Sequence, residues 1–242
     1  MKRIDELLIT QGFVEDLKKA KALIMAGEVF VNEQRVSKAS EKFKDNVKIR
    51  LKEKIPYVSR AALKLKTALD EFNIDVNGYK CADIGSSTGG FTDLLLQRGA
   101  SFVYAIDVGT NQLAYKLRID KRVKVLERTN ARYFDFSILD NIDLYTCDVS
   151  FISLKLIIKQ FVPAMKKGSK ALLLIKPQFE VKKEVADKFK GIITDEKIHK
   201  EIIKEIKNFV LQYENLEIKK VIESGLKGTH GNKEYIIYFI KN

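Results

Sequence analysis

The chain has 242 residues, with 44 Lys and Arg against 32 Asp and Glu, a formal charge of +12 at neutral pH, and is 45% hydrophobic and 10% aromatic. Two cysteines exclude a disulfide framework, the apolar content excludes a disordered chain, and no apolar run approaches the roughly 18–20 residues of a membrane span. Asp5 and Glu6 stand where a signal peptide has its apolar core, so a soluble, cytoplasmic protein that meets a polyanion is expected.

From the N-terminus, Ile4, Leu7 and Leu8 mark a short amphipathic helix over Lys2 to Gly12. Leu17, Ala20, Leu23 and Ile24 mark a second, closed by Gly27, with Lys18, Lys19 and Lys21 on its opposite face. Val29 to Val31, the turn-like Asn32 to Arg35, and Val36 read as a hairpin, and Val47 to Leu51 alternates as a strand does. The charged stretch Lys52 to Pro56 reads as a linker, its proline discouraging helix before it. Over residues 1–58 there are 13 basic and 9 acidic residues, so this part carries +4 and the remainder +8.

From Ser59 the texture is α/β. Ser59 can cap a helix running to about Phe72. Short apolar runs follow at Cys81–Ile84, Phe102–Ile106, Val123–Leu126, Ile142–Cys147, Lys170–Ile175, Leu216–Ile222 and Tyr235–Ile240. Helical patterns separate most of them, at Phe91–Gln97, Leu154–Phe161 and Asp195–Tyr213, which predicts a mostly parallel sheet covered on both faces. The last two strands have no clear helix between them and predict an antiparallel hairpin at one edge. Cys81 and Cys147 fall in strands expected to be neighbours and read as buried thiols. His199 and His230 stand alone, so no metal site is expected.

The sharpest local signal is the turn Asp83-Ile84-Gly85-Ser86-Ser87-Thr88-Gly89-Gly90-Phe91-Thr92-Asp93, which follows the first of these strands and opens a helix. Gly85 and Gly90 have the spacing of a triphosphate loop, but Phe91 stands where its lysine must be. A dinucleotide turn needs a second glycine where Ser87 stands. What remains suits a ligand without phosphate and with an amino-acid end, such as S-adenosylmethionine, with Asp83 placed to help hold its amino group. Asp107, at the end of the next strand, is 22 residues past Gly85, the usual place for a carboxylate on ribose hydroxyls. Separately, Asp148 and Lys176 each follow an apolar strand, Glu234 enters the last strand, and Lys64 lies in an Ala/Leu helix. A lysine behind a five-residue apolar strand is desolvated unless it faces a cleft. Two lysines between two carboxylates could deliver a base for a weakly acidic hydroxyl.

With these blocks in order, the chain resembles the TlyA (haemolysin A) family of ribosomal RNA methyltransferases over essentially its whole length. The likeness rests on Arg3-Ile4-Asp5, Ala20 to Val29, Tyr57 to Leu65, the Asp83–Asp93 turn, Glu127 to Arg132, Cys147 to Leu154 and Lys176-Pro177-Gln178-Phe179-Glu180. It implies an S4-like (alpha-L) RNA-binding domain of α+β type over 1–51, a linker over 52–58, and an FtsJ-like Rossmann-like class I methyltransferase domain over 59–242. It further implies S-adenosylmethionine-dependent methylation of a ribose 2′-hydroxyl of ribosomal RNA, with cytidine as target and a ribosomal subunit as substrate. The implied tetrad is Lys64, Asp148, Lys176 and Glu234, with Lys176 as base. The implied cofactor contacts are Asp83, Gly85, Ser86, Gly89, Gly90, Phe91, Asp107, Asn130 and Asp148, and the implied RNA contacts are Arg3, Lys18, Lys19, Lys21 and Arg60.

The sequence departs from the family pattern at Asp16-Leu17, where a Ser-Arg pair is usual, and in Ser224 to His230, where a proline is missing. The short stretch before Arg3 leans toward members acting on the large subunit alone. The rival readings are an RNA-binding protein with a vestigial cleft, and a cytolysin, for which no pore-forming feature is visible. If the basic excess serves RNA, affinity measured by filter binding falls steeply with salt, with a log–log slope of about −0.7 per phosphate neutralised on single strands. A flat salt response would refute that use of the charge.

Overall fold

The computed structural model describes residues 1–52, 55–228 and 231–242, so Glu53 and Lys54 of the expected linker, and Thr229 and His230, lie outside the described residues. The chain divides into two compact units, Met1–Pro56 and Tyr57–Asn242.

In the first unit, helices Ile4–Thr10 and Leu17–Met25 pack on a three-stranded antiparallel sheet of Val29–Val31, Gln34–Arg35 and Ile49–Leu51. Ile4, Leu7, Leu8, Ala20, Ile24, Val29, Val31, Val36 and Ile49 form its core. The hairpin turn uses positive φ at both Asn32 (48°) and Glu33 (65°), the conformation that matches strand twist in two-residue loops. The first helix is shorter than its sequence pattern, because Lys2–Arg3 pairs instead with Lys42–Phe43. Asp16, where the family pattern has a different pair, caps the second helix: its carboxylate accepts from the Lys19 amide at 2.7 Å.

The second unit is a seven-stranded sheet. Its strands are β1 (Lys80–Ile84), β2 (Phe102–Ile106), β3 (Val123–Leu126), β4 (Leu144–Cys147), β5 (Lys170–Ile175), β6 (Leu216–Glu223) and β7 (Tyr235–Lys241). The order across the sheet is β6-β7-β5-β4-β1-β2-β3, with β7 antiparallel to both of its neighbours. The antiparallel hairpin sits at one edge, as its sequence indicates, but β7 lies inside β6. The burial explains this: Ile236, Ile237 and Phe239 of β7 are buried, whereas β6 carries Glu217, Lys219, Lys220 and Glu223, charges that suit an outermost strand.

Helices α1 (Ala61–Glu71), α2 (Gly90–Gln97), α3 (Tyr115–Arg118), α4 (Leu154–Phe161), α5 (Pro177–Glu180), α6 (Lys183–Lys188) and α7 (Glu196–Val210) complete the unit. One face of the sheet is covered by α1 and α2 through Ala62, Leu65, Leu69, Leu94 and Leu95; the other by α4 and α7 through Ile157, Ile158, Phe161, Ile202 and Ile206. Phe161, stacked on Tyr145 at 4.8 Å, centres the second face. Cys81 and Cys147 are buried on the neighbouring strands β1 and β4, where desolvation pushes both thiols up. Strand order reverses between β1 and β4, so the ends of these two strands flank the crevice where open α/β sheets receive ligands.

Candidate active site

The turn after β1 is held from inside. Asp83 is fully buried; its Oδ2 accepts from the Thr92 amide (2.9 Å) and hydroxyl (2.7 Å), and its Oδ1 from the Thr146 hydroxyl (3.2 Å). These bonds tie the start of α2 to β1 and β4. Burial outweighs the three donors and raises the Asp83 carboxyl to about 7. Gly85 has φ +81°, and a Cβ there would meet the Asp148 carbonyl oxygen at 2.7 Å, so the close approach of the two strand ends requires glycine.

Beside the turn, the Asp107 carboxylate accepts from the amides of Ser87 (2.8 Å) and Gly109 (2.7 Å) and keeps further lone pairs for ligand hydroxyls. The loop carrying it is anchored by Glu127, which accepts from the Asn111 and Gln112 amides and pairs with Arg118 at 2.5 Å; the guanidinium, first, and the amides hold that carboxyl down to about 2.

The four separated charges of the sequence meet. Lys64 of α1 bonds Glu234, with Nζ 2.5 Å from Oε2, and lies 3.9 Å from Asp148 Oδ2. Lys176 lies 2.5 Å from Asp148 Oδ1, an ion pair without hydrogen-bond angles, and its Nζ donates to the Ser150 hydroxyl at 3.0 Å. The side chains are only 12% (Lys64), 14% (Asp148), 9% (Lys176) and 3% (Glu234) exposed. Gly228 packs against Glu234 so closely that a Cβ there would fall 2.3 Å from its carboxylate.

All four line one cavity of about 980 Å³, within the range of small-molecule and cofactor sites. Asp83, Gly85, Ser86, Gly90, Phe91 and Arg60 also line it. The remaining sequence candidates fall elsewhere. Gly89 (φ +95°) shapes the turn against Leu113 and Leu117, and Asp107 and Asn130 lie outside the lining, with the Asn130 side-chain oxygen accepting from the Arg132 amide. Phe91, 3% exposed, belongs chiefly to the apolar cluster beneath the turn. In the first unit Arg3 pairs with Asp5 and Lys19 with Glu15, while Lys18 and Lys21 stand exposed.

Sequence reasoning missed Ser150, Phe151, Gln178 and Phe179. Phe151 is 90% exposed with φ +64°, and its ring lies 5.0 Å from that of Phe179. Their blocks, Asp148-Val149-Ser150-Phe151 and Lys176 to Glu180, were visible in the sequence, but nothing there marks which side chains face the cavity.

A glycine turn at the switch point, an acid after β2 and a strand order of this kind define a Rossmann-like, S-adenosylmethionine-dependent methyltransferase. The FtsJ-like methyltransferase family model matches residues 57–241, and the S4 domain model matches residues 2–49. Among curated proteins, the chain is 45% identical over 240 residues to a candidate rRNA methyltransferase, YqxC, of Bacillus subtilis (98% of this chain, 84% of that one). It is 42% identical over 200 residues to the 23S rRNA (cytidine-2′-O)-methyltransferase TlyA of Campylobacter jejuni (82% and 76%). A solved structure, of a protein named as a candidate hemolysin from Streptococcus thermophilus, superposes with a TM-score of 0.76 at 40% identity, covering 100% of this chain and 88% of that one. The chain belongs to the FtsJ-like methyltransferase family, in its TlyA branch with an N-terminal S4 domain.

The residues present fit S-adenosylmethionine: a glycine turn without the lysine of a triphosphate loop, and an acid with lone pairs to spare. Asp83 supports that turn from beneath. Because its carboxyl is raised, the native state keeps its proton to higher pH than the unfolded chain does, and stability from this group falls as pH rises from about 4 to about 7. Asp83→Asn retains an acceptor for Thr92 and donates to Thr146. In urea unfolding it is expected to gain on the parent with rising pH, by up to about 1.4 kcal/mol per unit in that window. A pH-independent difference would contradict the buried-carboxyl account.

Proposed function

We propose that this protein methylates the ribose 2′-hydroxyl of a cytidine in ribosomal RNA, acting in the cytoplasm on a ribosomal subunit. The observation that carries the reading is the buried Lys64–Glu234 and Lys176–Asp148 pairs gathered in one cavity with the glycine turn.

Bound S-adenosylmethionine supplies an electrophilic methyl group on a sulfonium centre. The turn at Gly85, Ser86 and Gly90 and the carboxylate of Asp107 are assigned to hold it. A ribose hydroxyl is a poor nucleophile until its proton is taken as the oxygen bonds to carbon. Lys176 is assigned to take that proton on Nζ. Ser150 orients the nitrogen and Asp148, 2.5 Å away, stabilises the ammonium formed. Lys64, bonded to Glu234, keeps the second carboxylate neutralised and fixes Asp148 from the other side. Phe151, exposed at the cavity, offers its ring to a base splayed out of the RNA stack.

Arg60 at the cavity is assigned to the target strand, and Arg3, Lys18, Lys19 and Lys21 to phosphates contacted by an RNA-binding module over residues 1–51, joined by a linker over 52–58 to a catalytic domain over 59–242. No helix among the described residues is long and apolar enough to cross a membrane.

Lys176→Ala is expected to lower kcat about 10²–10⁴-fold, with S-adenosylmethionine affinity by calorimetry little changed. Digestion of treated ribosomal RNA to nucleosides should yield 2′-O-methylcytidine. An unchanged rate, or a methyl group on the base, would refute the proposal.

A further inference from the structure

We propose that Gln178 reads the base of the target nucleotide, its side-chain oxygen accepting a hydrogen bond from the exocyclic amine of cytosine. This rests on the ribose-methylation reading of the same cavity.

Gln178 follows Lys176 by two residues, in the short helix α5, and lines the cavity. Its Oε1 is buried and has no hydrogen-bond partner among the described residues. Buried polar atoms are nearly always paired, and an orphan calls for a reason. In a binding site the reason is a ligand that supplies the missing partner.

The surroundings limit what that ligand is. Glu180, at the far end of α5, accepts from the Ser153 hydroxyl (2.7 Å) and the Leu154 amide (2.6 Å), and Pro177 is buried, so the helix is pinned at both ends. The two side chains between the pins are Gln178 and Phe179, and both line the cavity. Phe179 stands 5.0 Å from Phe151, and the Lys176 ammonium lies 5.9 Å from its ring centre. A planar ring platform, an amide and the proposed base therefore share one wall. A nucleotide whose 2′-oxygen is at Lys176 brings its base to this platform, with its Watson–Crick edge free for the amide.

The orphan atom is an acceptor, so the base must present a donor. Cytosine has an exocyclic amine at the position where uracil has a carbonyl oxygen, and an acceptor facing an acceptor is rejected. A small shift of the side chain, short of exchanging its oxygen and nitrogen, would let Oε1 reach the amine and pair an acceptor that is unpaired among the described residues.

The test compares methylation of ribosomal RNA carrying cytidine or uridine at the modified position. It uses the parent protein, Gln178→Glu, which keeps an acceptor, and Gln178→Leu and Gln178→Met, two differently shaped side chains without one. The parent and Gln178→Glu are expected to prefer cytidine by about 10-fold or more in kcat/KM, while the Leu and Met variants fall to a ratio near 1. Free of ligand, the Leu or Met variant is expected to melt at or above the parent's temperature, because an unpaired acceptor has been removed. An unchanged cytidine preference in the Leu and Met variants, or a uridine preference in the parent, would overturn the role of Gln178 while leaving ribose methylation standing. A parent that methylates neither RNA overturns the reading beneath it.

Discussion

Four largely buried charged side chains, drawn from positions 64, 148, 176 and 234, form two ion pairs along one cavity. The rest of the fold answers to that arrangement. Two ammonium groups and two carboxylates balance in formal charge, and an imbalance there would be severe: taking one partner from a buried pair typically costs about 3–5 kcal/mol, because the other charge is left uncompensated. The four must therefore arrive together. They come from α1, the end of β4, the end of β5 and the entrance to β7, so the pocket exists only when helix and sheet are assembled.

Strand order is what makes the meeting possible. Because β4 pairs with β1 on one side and β5 on the other, Asp148 stands between the glycine turn and Lys176. Because β7 inserts between β5 and β6, Glu234 enters beside them instead of at the far rim. The close contact of Gly85 with the Asp148 backbone is the same geometry seen from the turn after β1. The glycine turn and the charged cluster are thus adjacent by construction, and a side chain at Gly85 would disturb both.

The turn after β1 shows how burial directs a carboxylate toward the protein interior. Its place beside a glycine turn suggests that Asp83 touches a ligand's amino group. In the structure its carboxylate is spent on Thr92 and Thr146, two residues whose hydroxyls no local pattern connects to it, and burial raises it to about 7. Asp107 is the more accessible acid, held by two amides that orient it. The difference lies in burial, which depends on the packing of α2 against the sheet.

The sequence by itself determined the elements and the chemistry they carry. Apolar runs of strand length between helical repeats give the α/β sheet, the Asp83–Asp93 turn excludes a triphosphate loop through Phe91, and Asp148, Lys176 and Glu234 stand out at strand ends, with Lys64 on an Ala/Leu helix. Those signals are local, set by spacing and residue type, and survive without knowledge of neighbours. Only the tertiary structure decided which side chains face each other: that Lys64 bonds Glu234 across 170 positions, that Ser150 receives a hydrogen bond from Lys176, that Asp83 turns inward, and that Gln178, a residue of the cavity wall, keeps a buried oxygen unpaired among the described residues. Pairing, burial and orphanhood depend on distance in space, and one-dimensional spacing fixes that distance only within a single helix or strand.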